Sequence, residues 1–159
     1  MAGTMIMTTT GTNVITERAV PGVLHRDCFA CGAGNPCGLQ MHFECDSTGV
    51  ASACWQPTSA FLSYADRVHG GVIATLLDSS MVHALFAVGV TAVTAELTIR
   101  YLQSVRVVDR VHVSGWVESK RHGVYLCRSE VHQGGVLAVR ASAKFVAMPA
   151  PPPHSPLND

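Results

Sequence analysis

The chain has 159 residues, the size of one domain, and 48% hydrophobic against 14% charged residues argues against disorder over most of its length. Eleven basic residues balance eleven acidic ones, so no long-range field favours a polyanion and a large nucleic-acid partner is not expected. The opening twenty residues lack a basic segment followed by a compact apolar run, so they do not read as a signal peptide; a soluble, cytoplasmic protein with reduced cysteines is expected.

Residues 1–24 carry Thr, Gly and Asn without sustained periodicity and read as a flexible arm. Next comes His25-Arg-Asp-Cys28-Phe-Ala-Cys31-Gly32, followed by Cys37. One imidazole and three thiols at short spacing are a donor set that could make a tetrahedral zinc site. No equally compact second pair appears downstream, and Gly32, Gly34 and Pro36 interrupt the helix a redox Cys-x-x-Cys pair would need. The reading therefore assigns no metal and treats this as a structural loop with buried or unreactive thiols.

Leu39, Met41, Phe43 and Cys45 alternate with Gln40, His42 and Glu44, the pattern of a half-buried strand with the odd residues inward. Asp46-Ser47-Thr48-Gly49 then turns the chain into a second hairpin arm, 49–55. From Gly71 the period changes. Val72, Ile73, Leu76, Leu77, Ser80, Met81, Ala84 and Leu85 recur at helical spacing, and a helix so broadly apolar belongs inside the structure. Gly89 supplies its stop. His69, Asp78, Ser79, Ser80 and His83 interrupt the apolar stretch 68–90, which reads as too polar to span a bilayer.

Four strand-like segments follow, at 91–105, 109–121, 123–133 and 135–148, joined by short connections that predict an antiparallel meander. One central helix and about six strands make an α+β domain over 25–147 in which a curved antiparallel sheet wraps the helix. Residues 148–159 form a Pro-rich tail read as disordered.

Three features mark the helix start as a site. His69-Gly70-Gly71 leaves backbone amides unshielded where a helix has unsatisfied donors, a place suited to a carbonyl oxygen that gains negative charge. Asp78 lies two turns on inside an apolar helix, where a carboxylate needs a partner or a wet cleft; it either does chemistry or accepts hydrogen bonds. Thr94 follows in the next strand, with Glu96 two residues later expected on the same side as a second acid. Arg100, Arg106, Arg110, Lys120, Arg121, Arg128, Arg140 and Lys144 gather basic charge in the second half, either as solvated strand ends or as a local phosphate contact.

The run His69-Gly-Gly-Val-Ile-Ala-Thr-Leu-Leu-Asp78 resembles the helix-start signature of hotdog-fold acyl-CoA thioesterases of the phenylacetate-pathway type. The segment Cys28 to Leu39 resembles a loop found in many members of that superfamily, and the likeness spans roughly 28–147. The resemblance implies a hotdog fold, a homodimer or dimer of dimers, and hydrolysis of small to medium acyl-CoA thioesters. No cofactor is implied beyond the coenzyme A of the substrate, and neither a nucleic-acid nor a membrane partner. By position it makes Asp78 the base or nucleophile and Gly70 or Gly71 the amide that polarises the thioester carbonyl. His69 would hold the loop, Thr94 would help position water, and Arg121 and His122 would contact the phosphates. It further implies that Asp78 of one subunit faces His69 and Gly70 of the other, with the acyl pocket around Phe61 and Leu62. Relatives carry an Asn shortly before the His-Gly-Gly; here Ser63 or Tyr64 is the candidate replacement. Two alternatives stand beside hydrolysis: a non-catalytic acyl-CoA binding or sensing protein, and a hydratase or dehydratase, whose Asp/His arrangement is not seen.

Overall fold

Gly70–Ala87 forms α1 in the computed structural model, which describes residues 25–148; the arm expected at 1–24, and all of the Pro-rich tail beyond Met148, lie outside the described residues. Ile73, Leu76, Leu77, Ser80, Met81, Ala84 and Leu85 are buried, as the helical spacing predicts. Gly89 adopts φ +73° and Val90 N–H returns to the Leu85 carbonyl at 2.9 Å, so a left-handed glycine closes the helix. By length and composition α1 is apolar enough to cross a membrane, with mean hydropathy 1.4, which corrects the reading of 68–90 as too polar. The sheet claims much of that apolar surface instead.

The strands are β1 (Glu44–Cys45), β2 (Ala51–Trp55), β3 (Leu62–Tyr64), β4 (Arg67–Val68), β5 (Ala92–Tyr101), β6 (Val111–Arg121), β7 (Val124–Gln133) and β8 (Val136–Ala147). Six of them form one antiparallel sheet in the order β1-β2-β6-β7-β8-β5, and β3 and β4 pair separately. The α+β expectation of one helix against a six-stranded antiparallel sheet holds. The hairpin β1–β2 turns at Asp46–Gly49, where Asp46 Oδ1 accepts from the Thr48 and Val50 amides at 2.8 and 3.0 Å. Leu39, Met41 and Phe43 point inward as predicted, but only Glu44–Cys45 joins the ladder. The amides of Leu39 and Met41 bond instead to the carbonyls of Phe29 and Ala30, both at 2.8 Å.

The four-strand meander is corrected. β6, β7 and β8 are consecutive neighbours, whereas β5 pairs with β8 at the far edge. Residues 102–110 do not turn back on β5. They run across β4, with Val68 N–H on the Val105 carbonyl at 2.9 Å and Val107 N–H on the Asp66 carbonyl at 3.0 Å. Those bonds carry the chain past β8 and β7 to the place between β2 and β7 where β6 begins.

Helix and sheet approach most closely at Gly115 of β6. A Cβ there would lie 2.6 Å from the Ser80 carbonyl carbon and from Ser80 Oγ, so only glycine fits under the helix. Beside it Ser80 Oγ donates to the Leu77 carbonyl at 2.8 Å and lies 2.7 Å from Ser129 Oγ, which satisfies the polar atoms in this dry layer. The contact sets the height of α1 over the sheet and hence of Asp78 beside β5.

Candidate active site

The helix start is built by the paired strands β3 and β4, which deliver the chain to His69 in an extended conformation, φ −60° and ψ 133°. His69 is the N-cap: its Nδ1 accepts from the Gly71 amide at 3.0 Å, while its carbonyl accepts from Val72 and Ile73 at 3.0 and 3.2 Å. An Nδ1 that accepts is unprotonated, so in the neutral ring the proton sits on Nε2. Three of the first amides are thus occupied. The Gly70 N–H makes no hydrogen bond among the described residues, and the structure separates the two glycines that sequence left equivalent.

Gly70 is held from the other side by Tyr101, whose hydroxyl donates to the Gly70 carbonyl at 2.8 Å. A Cβ at position 70 would lie 3.4 Å from that hydroxyl oxygen, within van der Waals contact. A cleft of about 380 Å³ opens here, lined by Ser63, Arg67, Gly70, Ile73, Tyr101 and Val105 among others. Ser63, beside Phe61 and Leu62, lines it, while the Phe61 ring tilts onto Trp55 with centroids 5.3 Å apart. Ser63 Oγ donates to the Arg67 carbonyl at 3.5 Å, and Tyr64 is exposed. Tyr101 was missed by sequence reasoning. Its only signal was a large aromatic at the end of a strand whose other residues stay largely exposed.

Asp78 lies two turns further on, partly buried, and Thr94 Oγ1 donates to its Oδ1 at 2.7 Å. Burial pushes the Asp78 carboxyl above its ordinary range; the Thr94 hydrogen bond pulls the other way and is the weaker cause. Glu96 does not join them, contrary to expectation. A bulge between Thr94 and Glu96 reverses the alternation, so Thr94 pairs with the fully buried Phe145 while Glu96 pairs with Lys144 on the other face. There the Lys144 ammonium holds Glu96 at 2.6 Å. Eight residues of helix separate Asp78 from Gly70, about 12 Å along the axis. Within one chain the carboxylate and the open amide therefore do not converge.

Arg121 and His122 occupy the β6–β7 turn, with His122 and Gly123 at φ +49° and +81°. The register Val93–Val146–Val124–Arg121 sets this turn at the same end of the sheet as Thr94, three strands or about 14 Å away. A second basic feature lies on the outer face, where Arg100 and Arg140 stand directly opposite each other on β5 and β8. Neither has an ion-pair partner among the described residues, and with Trp116 and Arg128 they line a cleft of about 310 Å³. Opposed like charges are unfavourable in a ladder unless an anionic group lies close, and Glu130, directly opposite Arg140 on β7, lines the same cleft.

At the opposite end of α1 the structure brings His25, Cys28 and Cys31 together, with His25 Nδ1 3.4 Å from Cys31 Sγ. Cys37 is exposed and outside the group. Burial, then the neighbouring Cys28, pushes the Cys31 thiol up to about 12, the reverse of an activated redox thiol.

The family model of the thioesterase superfamily matches residues 65–137, from just before the helix start to β8. The architecture is the hotdog fold of that superfamily. The resemblance drawn from His69 to Asp78 holds at this level. One similar hotdog structure, a thioesterase superfamily protein, is 24% identical with a TM-score of 0.73, over 76% of this chain and 60% of that longer one. A hypothetical thioesterase from Streptococcus pneumoniae, solved with coenzyme A, is 18% identical with a TM-score of 0.64, over 68% of this chain and 85% of that one. An aspartate-to-alanine and a threonine-to-alanine variant of that protein have been solved, the two positions 16 residues apart (68 − 52). The PaaI protein of the E. coli phenylacetic acid degradation operon is 19% identical with a TM-score of 0.65, over 70% of this chain and 81% of that one. At these identities the likeness is one of fold. No curated protein matches the chain.

Proposed function

We propose that the protein hydrolyses acyl-CoA thioesters to a free acid and coenzyme A as a homodimer or dimer of dimers. The reading is carried by one observation: a carboxylate, Asp78, kept partly dry in an apolar helix and held in one orientation by the Thr94 hydroxyl. A base toward water needs both properties, since burial raises its basicity and the hydrogen bond fixes its free oxygen. Asp78 and Thr94 are 16 residues apart, the same separation as the aspartate and threonine replaced in the pneumococcal relative, which supports giving them one task.

Asp78 takes a proton from water as the water oxygen attacks the thioester carbonyl. The carbonyl oxygen gains negative charge and is stabilised by the Gly70 N–H, the first-turn amide that His69 leaves open. When the C–S bond breaks, the proton on Asp78 passes to the departing thiolate, leaving acid and free thiol. Attack by Asp78 itself would give a mixed anhydride that water then opens, with the same products. His69 acts by capping the helix, and Arg121 and His122 are proposed to contact the phosphates.

The separation of about 12 Å between Asp78 and Gly70 along one helix means that, in this reading, a second subunit supplies the other half of each site. β5 suits such an assembly. It is a ten-residue edge strand with Val93 and Tyr101 half exposed, and its free side offers unpaired backbone groups. Pairing through it would bring Asp78 of one subunit toward Gly70 of the other. The same separation favours a second reading, a non-catalytic acyl-CoA binder, should the chain remain single. Thiol release from a panel of acyl-CoAs, measured with the parent and Asp78→Asn proteins alongside their molecular mass, tests both. Turnover lost in a variant of unchanged mass supports hydrolysis; binding without turnover overturns it.

A further inference from the structure

The site above leaves unused the group of donors at the other end of α1. We propose that His25, Cys28 and Cys31 bind a zinc ion, with water as fourth ligand, and that the ion clamps residues 25–41 onto the C-terminal half of the helix.

The donor atoms are already gathered. His25 Nδ1, Cys28 Sγ and Cys31 Sγ all lie within 4.8 Å of one another, and His25 Nδ1 is 3.4 Å from Cys31 Sγ. Tetrahedral zinc with bonds of about 2.0–2.3 Å separates its ligand atoms by about 3.5–3.8 Å. Closing on an ion therefore requires only small side-chain rotations.

The backbone around the donors is tightly set. Cys28 N–H bonds to the His25 carbonyl at 3.2 Å, Gly32 N–H to the Cys28 carbonyl at 2.9 Å and Gly34 N–H to the Arg26 carbonyl at 2.8 Å. A Cβ at Gly32 would fall 2.4 Å from Cys28 N and 2.5 Å from the Arg26 carbonyl oxygen. The loop thus folds back on the two cysteines as closely as a chain can, which turns both thiols to one side. The His25 ring is held by packing as well, edge-on to Phe86 with centroids 4.8 Å apart.

The chemistry of the donors also fits. Two thiolates and a neutral imidazole around a divalent cation leave no net charge in a pocket walled by Phe86 and His83, and binding releases the two thiol protons to solvent. A redox role fits worse, because no helix follows the first cysteine to favour a thiolate. The cluster lies away from Asp78, so the ion is assigned a clamping task although its fourth position stays open to water. His25 packs on Phe86, eight residues beyond Asp78 on the helix, while the loop carbonyls of Phe29 and Ala30 hold Leu39 and Met41 in the core.

Metal content of the full-length protein purified without chelator, followed by cobalt titration of the stripped, reduced protein, tests the inference. One equivalent of zinc is expected, and a thiolate-to-cobalt charge-transfer band that Cys28→Ser or Cys31→Ser abolishes and Cys37→Ser retains. Alkylation mapped by mass spectrometry should label Cys37 and spare Cys28 and Cys31 until the metal is removed. Should the serine variants fail to fold, the cobalt band and alkylation pattern of the unaltered protein decide alone. A folded, reduced protein that takes up no cobalt, labels all three thiols equally, or carries a Cys28–Cys31 disulfide when purified overturns it.

Discussion

Thr94 Oγ1 sits 2.7 Å from Asp78 Oδ1 and donates to it, joining the first residues of the edge strand to the middle of the helix. This bond opposes the burial that raises the Asp78 carboxyl. Removing it in Thr94→Ala leaves burial alone to act, so the pKa rises further. The acid limb of the pH–rate profile should move to higher pH, and kcat should fall about tenfold, the loss of roughly 1.4 kcal/mol of a charge-assisted hydrogen bond. Thr94→Ser should restore both. An unchanged acid limb in the alanine variant would separate Thr94 from the base.

Asp78→Asn should lower kcat by about 10²–10⁴, the usual contribution of a positioned base, without loss of fold. The sign of its stability effect follows from the raised carboxyl. A folded-state pKa above the unfolded one means the native state holds the proton longer, so stability falls as pH rises from the ordinary Asp range through the folded pKa. Asparagine has no charge to desolvate. The variant should therefore be as stable as the parent near pH 3 and at least as stable at neutral pH, with that part of the pH slope removed. Melting temperatures measured across pH check this, and a variant markedly less stable at pH 7 would contradict it.

Gly115→Ala tests the register of helix and sheet. The added methyl would meet the Ser80 backbone at 2.6 Å, and backbone cannot rotate away as a side-chain tip can. The cost should be at least the roughly 1–3 kcal/mol typical of overpacking, read from urea unfolding. Activity should fall at the same time, because lifting α1 moves Asp78 away from Thr94. Parent-like stability would show that the helix can shift freely over β6.

What could be read in the sequence divides by the range of the interaction. The helix, its stop at Gly89, the inward Leu39, Met41 and Phe43, and the isolated carboxylate Asp78 all follow from local period and composition. The pairing of β5 with β8 does not, because strand alternation is the same whichever neighbour a strand finds. Glu96 was misplaced for a related reason. Counting by two assumes an unbroken ladder, and one bulged residue turns every later side chain over. Gly115 announces a close approach without saying to what, and the bond from Tyr101 to Gly70 spans 31 residues with no local signature. Of the candidate site, residue types and spacing were legible. Which glycine amide stays open was not, because that depends on where the His69 ring turns.

The two basic features make separable predictions about the phosphates of the substrate. Arg121 is exposed at a turn, so a contact there is screened: Arg121→Gln should raise KM about three- to tenfold with kcat unchanged, less so at high salt. Arg100 and Arg140 face each other, with Glu130 opposite Arg140 on its other side but no ion pair to either arginine among the described residues. If they hold phosphate, Arg100→Gln raises KM in the same way. If they do not, it relieves repulsion and raises the melting temperature of the free protein with KM unchanged. Comparing coenzyme A esters with the corresponding dephospho-coenzyme A esters locates the contact, because the arginine that binds the 3′-phosphate loses its effect on KM when that phosphate is absent.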